Sequence, residues 1–345
     1  MKKLGLKIFF VLGLGVLVNQ SIYRWFNLPF AWGNDIAYAK ETFWESHKDN
    51  YNTVFIGTSR VYRQCNATLF DSLTNHETKS FNFGIDGISA SEEYYYLDKI
   101  LCADNGKLKY VFLEWCDVDV IAPKNLHTRD QKYWYDFSSW WFTVGSILQS
   151  NYTLEEKMTG ALYNTVSFFE NLLKFDLLHE VWKFRKTQPN ELFLGENSDG
   201  FVAMDDMKVN KDFGLSLRKE FLSDTTINQT RKAVSIETFK DNAQQKFIPA
   251  HYNHLMAIIS RLQAKGIQVF VVLAPRMKEM QYKNTVPGFK KIDNSMKINL
   301  ADASHNPEFY QWDLAFDAGH VNKAGATILT RKLADAFVQL KTNKP

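Results

Sequence analysis

Four short apolar runs limit what this chain can become. Residues 52–57 (NTVFIG), 79–83 (KSFNF), 109–113 (KYVFL) and 267–274 (IQVFVVLA) are rich in β-branched and aromatic side chains, and the last is almost wholly apolar. A run without polar alternation reads as a strand buried on both faces, which is the habit of parallel sheets. Helical patterns accompany the strands: residues 89–102, with Glu92 and Glu93 in the first turn, residues 249–265, stopped by Gly266, and residues 323–340. Strands alternating with helices predict an α/β fold, a three-layer α/β/α parallel sheet built from residues 34–120 and 246–345.

Residues 121–245 break that rhythm. They hold Trp134, Trp140 and Trp141 among many aromatics, a helical stretch over 154–186 and a polar turn over 195–200. The expectation is a large, mainly helical insertion between the third and fourth strands. Its aromatics read either as a platform for a sugar or acyl chain or, more simply, as the insertion's own core packed on the sheet.

At the N-terminus, Lys2, Lys3 and Lys7 surround the start of an uncharged run over 8–18, with a second apolar patch reaching Trp32. Residues 1–33 therefore read as a secretory signal or an uncleaved signal anchor. Eleven helical residues cover only about 16 Å of a hydrocarbon core about 30 Å thick, so a span has to include residues 4–6 and continue past Asn19. No small-x-small site directly follows the run, which favours the anchor. The lysines would then stay cytoplasmic, with a single pass through the cell membrane and the rest of the chain extracytoplasmic, periplasmic or extracellular.

The remaining composition mostly excludes. Forty-one Lys and Arg against 38 Asp and Glu leave a net charge of +3 with no basic block, so nucleic acid is not an expected partner. Cys65, Cys102 and Cys116 show no C-x-x-C spacing, which removes a disulfide scaffold and a zinc ribbon. His251 and His254, three apart on a helix, have no third ligand at a recognisable spacing and read as surface histidines; neither metal nor cofactor is expected.

Three segments can carry chemistry together. Gly57-Thr58-Ser59-Arg60 places a serine just past the carboxyl end of the first strand, where ligands collect in open parallel sheets. Asn82-Phe83-Gly84-Ile85-Asp86-Gly87 follows the second strand, and glycine there lets a backbone N–H approach a ligand. Asp317-Ala318-Gly319-His320 precedes the last helix, and its spacing lets the carboxylate reach Nδ1 while Nε2 stays free as a base for a serine. Arg276, after the fourth strand, lies at the same sheet edge and suits either an anionic substrate group or a salt bridge.

The order of these segments resembles the SGNH (GDSL-like) hydrolase superfamily, over about residues 35–119 and 246–340. Residue by residue, the resemblance implies Ser59 as nucleophile, His320 as base, Asp317 as the orienting carboxylate, and the N–H groups of Ser59 and Gly84 as oxyanion donors. Arg60, Asn82 and Arg276 are expected to contact substrate. One departure is plain: the superfamily's Gly-x-Asn-Asp after the third strand is here Glu114-Trp115-Cys116-Asp117, so an oxyanion-donating Asn is missing. An Asn introduced at Cys116 is expected to leave stability nearly unchanged. The Ser-Arg pair and the N-terminal apolar segment look most like the branch that includes the D-alanyl-lipoteichoic acid biosynthesis protein and the alginate O-acetylation proteins. That likeness implies acyl transfer or ester hydrolysis on a cell-envelope polysaccharide or polymer, beside a membrane-bound O-acyltransferase. The alternatives are a secreted carbohydrate esterase of the same fold and a noncatalytic binding or scaffolding protein that retains it.

Overall fold

Five strands pair in parallel, in the spatial order 80–84, 53–57, 110–114, 268–273 and 297–299. The computed structural model describes residues 2–26, 33–102, 106–118, 121, 125–173, 188–240 and 246–342. In chain order, α1 (Lys2–Phe26), α2 (Asp35–His47), β1 (Thr53–Gly57), α3 (Ser59–Gln64), α4 (Ala67–Leu73), β2 (Ser80–Gly84), α5 (Ala90–Cys102) and β3 (Tyr110–Glu114) form the first half. The insertion supplies α6 (Arg129–Lys132), α7 (Phe137–Gln149), α8 (Leu154–Leu173), α9 (Lys211–Ser223) and α10 (Ile227–Lys240). The chain then returns to the sheet through α11 (Pro249–Ala264), β4 (Gln268–Leu273), α12 (Glu279–Lys291), β5 (Lys297–Asn299) and α13 (Lys323–Thr342).

Each of the four apolar runs becomes a strand with ends displaced by at most one residue. Their side chains divide between two cores. Val54, Ile56, Val111, Leu113, Val269 and Val271 pack under α2, α5, α11 and α12, beside Trp44, Leu97, Ile258 and Val286. Phe55, Phe112 and Phe270 face the other way and stack in a row, with ring centroids 4.8 and 5.0 Å apart, against Phe70 of α4 and Leu333 and Phe337 of α13. Consecutive residues point to opposite faces of a strand, so a continuous apolar run serves both layers at once. The expected three-layer parallel α/β arrangement is observed. The sequence reading did not include β5, whose three residues carry too short a signal.

The strand order changes direction at β1, with β2 on one side and β3 on the other. Such a crevice, beyond the carboxyl ends of the strands, is where doubly wound sheets place their ligands. Residues 58–60 lie there.

α1 is one uninterrupted helix. Its segment Lys3–Ser21 is long and apolar enough to cross a membrane, at about 28 Å for 19 residues. The helix extends past the uncharged run in both directions, as a span requires. The apolar patch at 27–32 and the expected continuation of α8 over 174–186 lie outside the described residues.

The insertion is bound to the edge of the sheet. Asn82 N–H of β2 donates to Asp199 O (2.8 Å), and the Lys40 ammonium of α2 donates to the carbonyls of Asn82 (2.9 Å), Gly84 (2.6 Å) and Gly200 (2.7 Å). Gly200, at φ +84°, lies so close to Asn82 that a Cβ would stand 2.1 Å from its carbonyl oxygen. Burial pulls the Lys40 pKa well below the ordinary lysine value, and Arg63 adds to this while Asp86 and Asp199 oppose it. Three carbonyl acceptors nevertheless need three donors, which only the ammonium supplies. Lys40→Met should cost about 3 kcal/mol, because it strands three buried carbonyls at once. A urea-denaturation midpoint shifted by less than about 1 kcal/mol equivalent would show that the carbonyls reach other partners.

Candidate functional site

Ser59 and the Asp317–His320 pair, more than 250 residues apart in the chain, come together at the β1 end of the sheet. Ser59 Oγ–H donates to His320 Nε2 at 2.7 Å. On the other side of the ring, His320 Nδ1–H donates to the Asp317 carboxylate, at 2.9 and 3.0 Å from its two oxygens. Ser59 and the imidazole are half-buried, and Asp317 is buried.

Local structure sets each of these groups. Ser59 is the first residue of α3, and Thr58 caps the helix by accepting Arg60 N–H on its hydroxyl at 3.3 Å. No hydrogen bond among the described residues occupies the Ser59 N–H. The Asp317–His320 segment is a tight reversal closed by the Ala315–Val321 bridge, with Phe316 N–H donating to His320 O at 2.9 Å. Inside it, Asp317 Oδ1 accepts the backbone N–H groups of Gly319 (2.6 Å) and His320 (2.9 Å). Burial raises the Asp317 pKa, but the imidazole and these two N–H groups outweigh it and hold the carboxyl below its usual range. From the insertion, Arg218 of α9 grips the carbonyls of Ala315 and Phe316. Gly325, in the first turn of α13, permits close packing, since a Cβ there would meet Leu314 O at 2.5 Å.

Beneath Ser59 lies a buried charged layer that the sequence reading did not assign. Glu114, the last residue of β3, accepts Thr58 N–H and Thr58 Oγ–H on Oε2, both at 2.8 Å. Its Oε1 accepts from Arg276 Nη1 at 2.6 Å, and Arg276 Nη2 donates to Trp115 O. Both partners are about 1% exposed. Burial pushes the Glu114 carboxyl up, yet Arg276, Arg60 and the two Thr58 donors hold it below the ordinary value, so it is ionised. Gly57 is small because a Cβ there would lie 2.7 Å from Glu114 Oε2.

Three expected roles change, and Arg60 is drawn inward. Gly84 N–H donates to Asn82 Oδ1 at 2.8 Å, which leaves no proton for an oxyanion. Asn82 is fully buried, and its Nδ2 donates to the last-turn carbonyls of Val61 (2.8 Å) and Cys65 (2.7 Å), so it ties α3 to β2 and does not contact substrate. Arg276 takes the salt-bridge alternative, with Glu114, and has no face open to an anionic ligand. Arg60 is buried as well and donates through Nε to Pro275 O at 2.9 Å. A sequence cannot show these partners, because each is made by a strand or loop distant in the chain.

The segment after β3 is equally enclosed. Cys116 Sγ–H donates to Glu93 Oε2 at 2.8 Å, and burial, then the charge of Glu114, raises the Glu93 pKa well above the usual range. An Asn at Cys116 would have to enter a closed site, so the substitution is now expected to destabilise the fold. His251 is buried too, contrary to the surface reading. It stacks on Trp115 with centroids 4.0 Å apart and meets Tyr94 OH through Nε2 at 3.0 Å, and burial pulls its pKa to about 3. Among the described residues no group of His, Cys, Asp and Glu is arranged to hold a metal. A cavity of about 620 Å³ lies between the insertion and the start of α13, where Lys323 lines it, but none of Ser59, Asp317 and His320 does.

In comparisons with known proteins, the chain matches no protein-family model and no curated protein.

Glu114 should support stability in a pH-dependent way. Its folded pKa is depressed, so its contribution is complete above the ordinary carboxylate range and disappears as the pH falls through the folded value. Glu114→Gln should therefore cost about 3 kcal/mol or more at pH 7, by leaving Arg276 with an uncompensated buried charge, and less at pH 3, below the ordinary carboxylate range. Urea midpoints at the two pH values measure the difference; an equal loss at both would mean that the ion pair does not set it.

Proposed function

We propose that the protein performs serine-dependent acyl chemistry, as an acyltransferase or esterase of the SGNH type, on O-acyl groups of a cell-envelope polysaccharide or polymer. The observation that carries this reading is the hydrogen-bonded chain from Ser59 through His320 to Asp317 at the switch point of a parallel sheet. A serine hydroxyl is a weak nucleophile until a base takes its proton, and the imidazole is placed and oriented for that.

In this mechanism Ser59 Oγ attacks the acyl carbonyl carbon as its proton passes to His320 Nε2, and the negative Asp317 carboxylate stabilises the resulting imidazolium. The tetrahedral intermediate collapses when His320 returns that proton to the leaving oxygen. The acyl group then sits on Ser59 as an ester, and a sugar hydroxyl or water, deprotonated by the same imidazole, releases it. The Ser59 N–H is available to the oxyanion. With Gly84 N–H engaged and no Asn after β3, fewer donors are at hand than the superfamily pattern offers. Losing one donor costs on the order of 100-fold, so the isolated chain is expected to be a slow esterase.

The envelope substrate and a membrane-bound O-acyltransferase as partner rest on the likeness of motifs and on α1, read as a single-pass signal anchor that leaves the α/β body extracytoplasmic.

Incubation with a fluorophosphonate probe should label Ser59, identified by peptide mass spectrometry, and p-nitrophenyl acetate should be turned over slowly. Ser59→Ala should abolish labelling and reduce turnover by about 10³-fold or more while altering stability by about 1 kcal/mol or less. Unchanged turnover in folded Ser59→Ala would place the chemistry elsewhere. A wild-type protein that neither labels nor turns over, with or without a membrane fraction, would favour the noncatalytic alternative.

A further inference from the structure

α7 and α8 form an antiparallel hairpin whose outward face carries large apolar side chains. On α8, the outward positions Leu154, Met158, Leu162 and Phe169 are exposed, with Leu154 at 76%, whereas Gly160, Asn164 and Ser167 are buried. Spacings of four, four and seven put the four apolar residues on one face of a 3.6-residue helix, and the three small or polar residues lie roughly opposite. Asn164 meets its own needs inside by donating to Gly160 O at 2.7 Å. A helix on a water-soluble surface shows the opposite arrangement.

α7 is apolar on both faces, with Phe142 and Ile147 buried in the core. Its thirteen residues include no charged side chain, and Phe137, Trp141 and Leu148 face outward. The two helices pair through Trp140, which donates from Nε1 to Thr165 Oγ1 (3.0 Å) and stacks on Phe168, while Phe137 packs beside Phe168. The tryptophans of the insertion therefore divide, with Trp134 buried in the core and Trp141 69% exposed. Apolar faces of this kind are uncommon on soluble surfaces and mark sites covered by something else.

The position of α1 identifies what covers this one. Gln20 Nε2, at the end of the membrane-length segment, donates to Leu172 O at the end of α8 (2.7 Å), and Asn19 is buried. The hairpin is thus fixed where α1 leaves its apolar stretch. Tryptophan and phenylalanine are the side chains favoured at a headgroup boundary, and an amphipathic helix binds there by burying its apolar face.

We propose that the outward face of α7 and α8 is a second membrane contact, seated in the headgroup and acyl boundary of the bilayer that α1 crosses. This inference rests on the reading of α1 as a retained anchor. It gives part of the insertion a purpose, since two contacts hold the body in a fixed orientation above the membrane where a lone helix would let it swivel.

The test uses the full chain reconstituted in phosphatidylcholine and phosphatidylglycerol vesicles. Met158→Cys, Leu162→Cys and, as a control at an exposed position far from the hairpin in sequence, Lys208→Cys are each labelled with an environment-sensitive fluorophore, in a Cys102→Ser background. The other two cysteines, Cys65 and Cys116, are buried. Labels at 158 and 162 should be quenched several-fold more by doxyl lipids than by aqueous iodide, with the reverse at 208. Iodide quenching of both hairpin labels in vesicle-bound protein would overturn the contact and leave the anchor standing. Protection from both quenchers would overturn it in favour of a protein partner or a second copy. Protein that fails to float with the vesicles would remove the anchor and the proposal together.

Discussion

The Glu114–Arg276 pair is the interaction on which the arrangement around Ser59 depends. It joins the end of β3 to the loop after β4, and its remaining carboxylate oxygen takes both donors of Thr58 at the start of the turn that carries Ser59. Two charges removed from water repay their desolvation only with good geometry and satisfied neighbours. Here Arg60, Pro275 O and Trp115 O complete the layer. Such a layer is a rigid floor: Thr58 cannot shift without unpairing Glu114, and Ser59 follows Thr58. Preorganisation of this kind allows a hydroxyl to stay within 2.7 Å of an imidazole supplied from the far end of the chain.

The same economy explains why the second expected oxyanion donor is absent. Asn82 uses its amide to close the end of α3 and its oxygen to hold Gly84 N–H, while Lys40 takes the carbonyls around it. These polar groups of the sheet edge are thereby engaged in holding α3, β2 and the insertion together. Buried polar groups have to be paired, and pairing them here occupies the Gly84 N–H. The result is a site in which Ser59, His320 and Asp317 form one hydrogen-bonded chain while the neighbouring Gly84 N–H is already engaged.

The insertion acts on both ends of the body. Its segment near Gly200 seals the β2 edge, and Arg218 of α9 braces the reversal that carries Asp317 and His320. Its hairpin of α7 and α8 faces away from the sheet with an apolar surface, next to α1. The aromatic content of this region therefore has two physical origins, a core and an outward face, which composition alone does not separate.

Periodicity in the sequence determined the sheet. Unbroken apolar runs such as 267–274 can be satisfied only between two layers of helices, so four of the five strands and both layers were legible to within a residue or so, whereas the three-residue β5 was not. The three residues of the hydrogen-bonded chain were also legible, because Gly-x-Ser after a first strand and Asp-x-x-His before a last helix are local patterns whose placement at one sheet edge follows from parallel topology. Tertiary structure alone decided what lies behind them. Whether Arg276 meets a substrate or Glu114, whether Gly84 N–H is free, and whether His251 sees water all depend on partners contributed by segments distant in sequence. The outward turn of Trp141 and Leu162 belongs to the same class, since a helical stripe has the same spacing whether it faces a core or a bilayer, and only the packing of the opposite face distinguishes the two.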